Sequence, residues 1–154
     1  MPVLSHTFLR DYLAQHLQRV NVTQEIAAVV ANNLVDASLK GHDSHGVTLL
    51  PRYIEAIRVG ELDPTAPLEL TRDEGALLSF HGNRGFGQVQ GRNAMIHGIE
   101  RARRFGVSVV GSTRSVGNNS KCWRMPIPRR FRISNYLSPR SLGDTACVGF
   151  LAFF

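Results

Sequence analysis

A short polar segment, residues 41–46, carries side chains that could do chemistry, since its sequence is Gly-His-Asp-Ser-His-Gly. Two imidazoles, a carboxylate and a hydroxyl stand on four consecutive residues, and the glycines on either side relax the backbone, so these groups could converge on a small anionic ligand. The same residues also suit a helix cap, in which Asp43 or Ser44 accepts backbone N–H bonds while His42 and His45 are solvated. The spacing leaves both interpretations open.

A metal centre is a third use for this segment, with His42, Asp43 and His45 as ligands. One short cluster without a second ligand pair makes a poor metal site. His81 and His97 stand in separate elements and have no diagnostic spacing. We therefore predict that the protein has no metal site.

A glycine-rich segment, residues 81–87, could bind a phosphate through backbone N–H groups, because it follows a short apolar run and precedes a helical pattern. Gly85 and Gly87 match two glycines of the Rossmann fingerprint, but Gln90 stands at the third position. No Asp or Glu stands at the end of the next predicted strand to bind a ribose hydroxyl. We therefore reject a Rossmann site here.

Three helices are predicted in the first part of the chain. Apolar spacing of three and four residues predicts a first helix, with Ser5 or Thr7 as its N-cap. Its buried stripe is expected to comprise Phe8, Leu9, Tyr12, Leu13, Leu17 and Val20. A second helix begins after Thr23 and stops at Gly41. Its stripe is expected to comprise Ile26, Val30, Leu34 and Ala37. Pro51 begins a third helix, which ends at Val59.

The period of the pattern changes after Pro64 and Pro67, which force an extended connection. A β-hairpin is predicted over residues 68–80, then a helix from Gln88 that Gly106 stops, then a buried strand from Val107 to Val110. These elements favour an α+β fold, with domains at 1–62, 63–111 and 112–154.

From Ser112 onward the sequence has no sustained apolar period, so we predict no helix or strand there. Basic and acidic side chains number eleven each up to Gly111, so the net charge of +6 lies in this tail. Basic residues interleaved with aromatic ones could bind nucleic acid, but the tail matches no known module. We therefore favour a disordered or non-native basic tail over a nucleic-acid partner. Both cysteines, Cys122 and Cys147, lie in the tail and give no disulfide framework.

The N-terminus lacks the basic and apolar regions of a secretion signal, and no apolar run reaches the roughly 18 residues that a membrane span needs. These features predict a cytoplasmic protein without a membrane partner.

Two motifs carry a resemblance to a known family. Residues 41–46 followed by Leu50-Pro51-Arg52-Tyr53, together with residues 83–89, resemble the malate/L-lactate dehydrogenase family. That family comprises NAD(P)-dependent 2-hydroxyacid oxidoreductases that do not use a Rossmann fold. The resemblance ends near Val110, so it implies the N-terminal portion only: a helical segment and then the start of a mixed α/β, non-Rossmann cofactor domain.

The resemblance also implies roles for individual residues. His45 would act in a proton relay beside Ser44, and Tyr53 would line the pocket. It further implies substrate contacts from His42 and Arg52, and cofactor contacts from Gly85, Gly87 and Gln88. The implied cofactor is NAD or NADP, the substrate a small 2-hydroxyacid or 2-oxoacid, and the assembly a homodimer with its site at the interface.

The sequence departs from the family pattern at two positions. Leu49 stands where a substrate-orienting Arg is common, and Gly117 stands where the catalytic His is expected. We therefore expect a truncated and inactive form of the dehydrogenase, with a tail that a shifted reading frame would explain. The alternatives are a non-catalytic dimerisation module and a basic nucleic-acid-binding protein.

Overall fold

The computed structural model describes residues 4–113, 115–116, 132–137 and 148–153, the last two ranges through their backbone. The chain divides into two compact units, Met1–Thr65 and Ala66–Phe154. The division falls between Pro64 and Pro67, in the connection that the prolines predict to be extended.

The first unit consists of helices α1 (His6–Gln18), α2 (Gln24–Leu39) and α3 (Leu50–Arg58), with two short 3₁₀ turns between α2 and α3. Both predicted N-caps are confirmed. The Ser5 hydroxyl accepts a hydrogen bond from the Phe8 N–H at 3.2 Å, and the Thr23 hydroxyl accepts one from the Ile26 N–H at 3.4 Å. Helix α3 begins one residue before Pro51, which occupies its first turn.

The buried face of α1 is narrower than its sequence predicts. Leu13 and Leu17 are buried, but Phe8 and Tyr12 remain 52% and 45% exposed. The reason is that α1 packs on α2 along one side, so apolar residues at the margin of the stripe remain exposed. Helix α2 buries a wider set: Ala27, Val30, Ala31, Leu34, Val35 and Ala37.

The second unit is a mixed sheet with one long helix. Its elements are β1 (Glu69–Glu74), β2 (Leu77–His81), α4 (Gly87–Phe105), β3 (Val107–Thr113), β4 (Arg132–Leu137) and β5 (Val148–Phe153). The strands lie in the order β1-β2-β3-β5-β4. Strands β1 and β2 form the predicted antiparallel hairpin, and α4 connects the parallel pair β2 and β3. The α+β class is confirmed.

The core of this unit lies between α4 and one face of the sheet. It comprises Leu78, Phe80, Ala94, Met95, Ala102 and Val110, with Leu68 packed against it. Strand β1 itself is exposed along its whole length, so the alternation at its start does not mark a buried face of the strand. Gly106, at a φ of +80°, ends α4 as predicted.

Strand β3 corrects two expectations. It continues to Thr113, beyond the predicted end at Val110. It is also buried on one face only: Ser108, Val110 and Ser112 are buried while Val109 is 37% exposed. The cause is that α4 covers one side of the sheet, which the apolar sequence of the strand does not reveal.

Two segments of the tail belong to the sheet. Residues 132–137 and 148–153 form strands, and β5 pairs with β3 from Val107↔Phe153 to Ser112↔Val148. Pairing of this kind depends on a distant strand, so no local period in the tail predicts it. The expectation of a disordered or non-native tail otherwise falls outside the described residues, as do Cys122, Cys147 and Gly117. Within the described residues, no helix is long and apolar enough to cross a membrane.

Candidate active site

The candidate site begins where α2 ends in a Schellman motif. Gly41 adopts a φ of +78°. The Gly41 N–H donates to the Ser38 carbonyl and the His42 N–H donates to the Ala37 carbonyl, both at 2.9 Å. These are the two hydrogen bonds that define the motif, and they fix the direction in which the chain leaves the helix. We call residues 41–47, which follow this helix end, the site loop.

The site loop is held by backbone hydrogen bonds. The His45 N–H donates to the His42 carbonyl at 2.9 Å, and the Gly46 N–H donates to the Asp43 carbonyl at 3.1 Å. The Thr48 hydroxyl donates to the same Asp43 carbonyl at 2.6 Å. Neither 3₁₀ turn, Asp43–His45 or Val47–Leu49, has a side-chain cap, so capping by Asp43 or Ser44 is not the arrangement found.

Ser44 and His45 are in direct contact. The Ser44 Oγ lies 2.8 Å from the His45 Nδ1, a hydrogen-bond distance. Ser44 is exposed and His45 is half-buried, so the pair lies at the surface of the unit. A hydroxyl can donate to Nδ1 or accept from it, so the pair can form with either ring tautomer and can move a proton along the hydrogen bond.

The other candidate residues occupy different environments. His42 and Asp43 are exposed in the site loop. On α3, Arg52 is exposed whereas the next residue, Tyr53, is only 2% exposed and belongs to the core of the first unit. Leu49 is half-buried. The structure therefore brings Ser44 and His45 into contact, and it leaves His42, Asp43 and Arg52 exposed.

The glycine-rich segment forms a tight turn in the second unit. Asn83 and Arg84 have φ values of 48° and 64°, and the Gly85 N–H donates to the Gly82 carbonyl at 2.7 Å. Positive φ at both central residues is typical of a type I′ turn. The Asn83 side-chain amide also donates to the Pro67 carbonyl at 3.2 Å, which ties the turn to the start of the unit.

The two glycines proposed for cofactor binding use their amides within the protein. The Gly85 N–H is taken by the turn, and the Gly87 N–H donates to the Val116 carbonyl at 2.7 Å. Gln88 is 3% exposed. In this conformation the two amides are not available to a phosphate, so these residues do not fit a dinucleotide cradle made from backbone N–H groups.

Sequence reasoning did not identify Ser38 and Thr48, whose hydroxyls bind the backbone of the site loop. Serine and threonine near helix ends are common, so their types carry no signal. The pairing of Ser38 with Val47 spans nine residues and appears only in the folded chain. Among the described residues, no group of three or more His, Cys, Asp or Glu side chains could hold a metal ion.

The fold and the site together define an α+β protein with a hydroxyl–imidazole pair in its site loop. The chain belongs to the malate/L-lactate dehydrogenase family, whose model matches residues 4–120. The resemblance seen in the two sequence motifs is thereby confirmed, and members of this family are dehydrogenases.

Two relatives and one solved structure illustrate the relationship. The L-sulfolactate dehydrogenase of Methanocaldococcus jannaschii is 36% identical over 96 residues, which are 62% of this chain and 28% of that protein. The hydroxycarboxylate dehydrogenase B of Escherichia coli O157:H7 is 32% identical over 102 residues, 66% of this chain and 28% of that protein. The structure of the malate dehydrogenase from Pyrococcus horikoshii matches with a TM-score of 0.70 and 31% identity, over 73% of this chain and 32% of that chain. The chain thus matches about a third or less of each relative.

Proposed function

We propose that the site loop is the proton-handling, substrate-side part of a nicotinamide-dependent 2-hydroxyacid dehydrogenase. The observation that carries the proposal is the 2.8 Å contact between Ser44 Oγ and His45 Nδ1, within the region that the family model matches. The names of the relatives, which include malate, sulfolactate and hydroxycarboxylate dehydrogenases, support a small 2-hydroxyacid as substrate.

Oxidation of a 2-hydroxyacid to a 2-oxoacid removes a proton from the hydroxyl oxygen and a hydride from the carbon. The residues of the site loop are proposed to transfer the proton and not the hydride. Ser44 contacts Nδ1 of His45, and the ring passes the proton along a hydrogen-bond relay between the substrate hydroxyl and the catalytic base, in either direction. An imidazole suits this role because one ring nitrogen can accept a proton while the other donates one.

Substrate recognition is proposed to involve His42 and Arg52, both exposed, through attraction of the substrate carboxylate. Leu49 stands at the position where a substrate-orienting arginine is common in the family, so this chain lacks that contact to the carboxylate. Tyr53 is buried, so it would contribute to the wall of the pocket rather than contact the carboxylate.

The cofactor is proposed to be NAD or NADP in the complete family enzyme. The amides of Gly85 and Gly87 are occupied by internal hydrogen bonds, so we derive no cofactor contact from them. For the 154-residue chain by itself we propose that cofactor binding and turnover are absent. The expected base position, Gly117, falls outside the described residues.

A second candidate function is a non-catalytic dimerisation module. It is favoured by an exposed aromatic row on α1, in which the Phe8 and Tyr12 rings are 6.0 Å apart and the Tyr12 and His16 rings are 4.1 Å apart. Apolar surface of this kind often marks association. A homodimer is compatible with either function.

Substrate recognition can be tested on the whole chain by ¹⁵N NMR of the histidine rings during titration with L-malate and, separately, succinate. The two ligands differ only in the 2-hydroxyl group. We expect L-malate to shift the His45 ring signals more than succinate does, and to leave His16, whose ring nitrogen is bound to the Tyr12 carbonyl, unchanged. Equal responses to the two ligands would contradict recognition of a 2-hydroxyacid.

Turnover is tested by oxidation of NADH or NADPH across a panel of 2-oxoacids. We expect no activity from the isolated chain, because loss of a general base alone typically lowers the rate by about two to four powers of ten. A Ser44→Ala/His45→Ala double variant is the control. Turnover that disappears in this variant would show that the chain carries a complete site and would overturn the proposed inactivity.

A further inference from the structure

We propose that Ser38, in the last turn of α2, is a positioning residue that sets the geometry of the Ser44–His45 pair. The inference rests on the proposed function, since it assigns Ser38 to the same site, but its test does not depend on substrate or turnover.

Ser38 accepts hydrogen bonds from the site loop at both ends of the loop. Its carbonyl accepts from the Gly41 N–H at 2.9 Å, where the loop leaves α2. Its hydroxyl accepts from the Val47 N–H at 3.1 Å, where the loop ends. One residue of a stable helix therefore closes the segment that carries Ser44 and His45, and it fixes the distance between the two ends of the loop.

The contact between Ser38 and the loop is close enough to exclude any side chain at position 46. A Cβ added to Gly46 would lie 2.0 Å from the Ser38 Oγ and 3.1 Å from its Cβ. The φ of Gly46 is −96°, outside the left-handed region, and the atoms that an added Cβ would meet all belong to Ser38. Gly46 directly follows His45, and any displacement there acts on the ring through one peptide bond.

The interior of the loop has its own hydrogen bonds, from the Gly46 N–H and the Thr48 hydroxyl to the Asp43 carbonyl. These bonds shape the turn but do not connect it to α2. The connection at its C-terminal end is made by Ser38. The distance between the two groups of a proton-transfer pair must be held within a fraction of an ångström. A residue that fixes the ends of the loop therefore affects the pair without touching it.

The test uses the full chain and two variants that disturb the contact from opposite sides, Ser38→Ala and Gly46→Ala. The first readout is amide exchange at Val47, expected to be about fivefold faster in Ser38→Ala because a part-buried hydrogen bond of about 1 kcal/mol is lost. The second is the ¹⁵N signature of the His45 ring, expected to shift in both variants because the Ser44 Oγ–His45 Nδ1 contact is displaced. A purely structural role would leave this signature unchanged.

Ser5→Ala is the matched control, because it removes a hydroxyl that accepts one backbone N–H at the start of α1. It should leave both readouts unchanged. Faster exchange at Val47 with an unaltered His45 signature in both variants would overturn the proposal, as would unchanged exchange in Ser38→Ala. Gly46→Ala keeps the test decisive if Ser38→Ala does not fold. If instead the unaltered chain gives equal responses to L-malate and succinate, the proposed function fails while the positioning result still stands on its own readouts.

Discussion

Gly98 is a point of close approach between α4 and the sheet. A Cβ at this position would lie 2.6 Å from Cγ2 of Val110 and 3.4 Å from Oγ of Ser108. The Ser108 hydroxyl donates to the Gly98 carbonyl at 2.7 Å in a buried contact. The missing side chain therefore lets the helix backbone reach the strand.

Replacing Gly98 with alanine is expected to destabilise the protein. The gain in helix propensity is about 1 kcal/mol, whereas an added methyl group in a filled core typically costs about 1–3 kcal/mol. We predict a net loss of about 1 kcal/mol or more in the free energy of unfolding, measured by urea denaturation. Gly111→Ala serves as the comparison, since the nearest described atom there is 3.9 Å away. A more stable Gly98→Ala variant would show that the helix can move away from β3.

At the level of elements, two helices of the first unit end in the same way. Gly41 after α2 and Gly60 after α3 have φ values of 78° and 76°, and neither has a described atom within 4 Å of an added Cβ. Backbone conformation alone therefore requires glycine at these positions.

Gly41→Ala and Gly60→Ala are each expected to lower the free energy of unfolding by about 1 kcal/mol, the approximate cost of placing an L side chain in the left-handed region. Thermal denaturation measures this loss. The two variants should differ in the site loop, because the His42 N–H bonds to the Ala37 carbonyl directly after Gly41. Amide exchange at His42 should accelerate in Gly41→Ala only. Equal acceleration in both variants would mean that the helix end does not control the loop.

At the scale of the whole molecule, the uneven charge has a testable consequence. The net charge of +6 arises beyond Gly111, where seven Lys and Arg residues accompany one Asp. Such a segment attracts polyanions without selecting a sequence.

We predict weak binding to DNA and RNA that falls steeply with salt and shows no sequence preference, as measured by fluorescence anisotropy. Arg129→Gln/Arg130→Gln should weaken it more than the equally charged change Arg103→Gln/Arg104→Gln on α4, which lies in the balanced part of the chain. A tight, sequence-selective complex would instead support the nucleic-acid-binding alternative and count against the dehydrogenase assignment as the main function.

The helices and their ends were predictable because their signals are local. Ser5, Thr23, Gly60 and Gly106 act on the hydrogen bonds of neighbouring residues, and each occupies the predicted position. Burial was less predictable. The exposure of Phe8 depends on where α2 lies, and an isolated sequence does not contain that information.

The residue types at the candidate site and the family were already determined by the sequence, because residues 41–46 place a hydroxyl beside an imidazole in every conformation of the chain. Only the tertiary structure decided that Ser44 bonds to His45, that Ser38 closes the loop, and that the amides of Gly85 and Gly87 are occupied within the protein. It also decided that β3 extends to Thr113 and pairs with β5. The physical reason is the same in each case. Side-chain chemistry belongs to a residue, whereas a hydrogen bond or a buried face depends on the backbone conformation and on the groups that folding brings together.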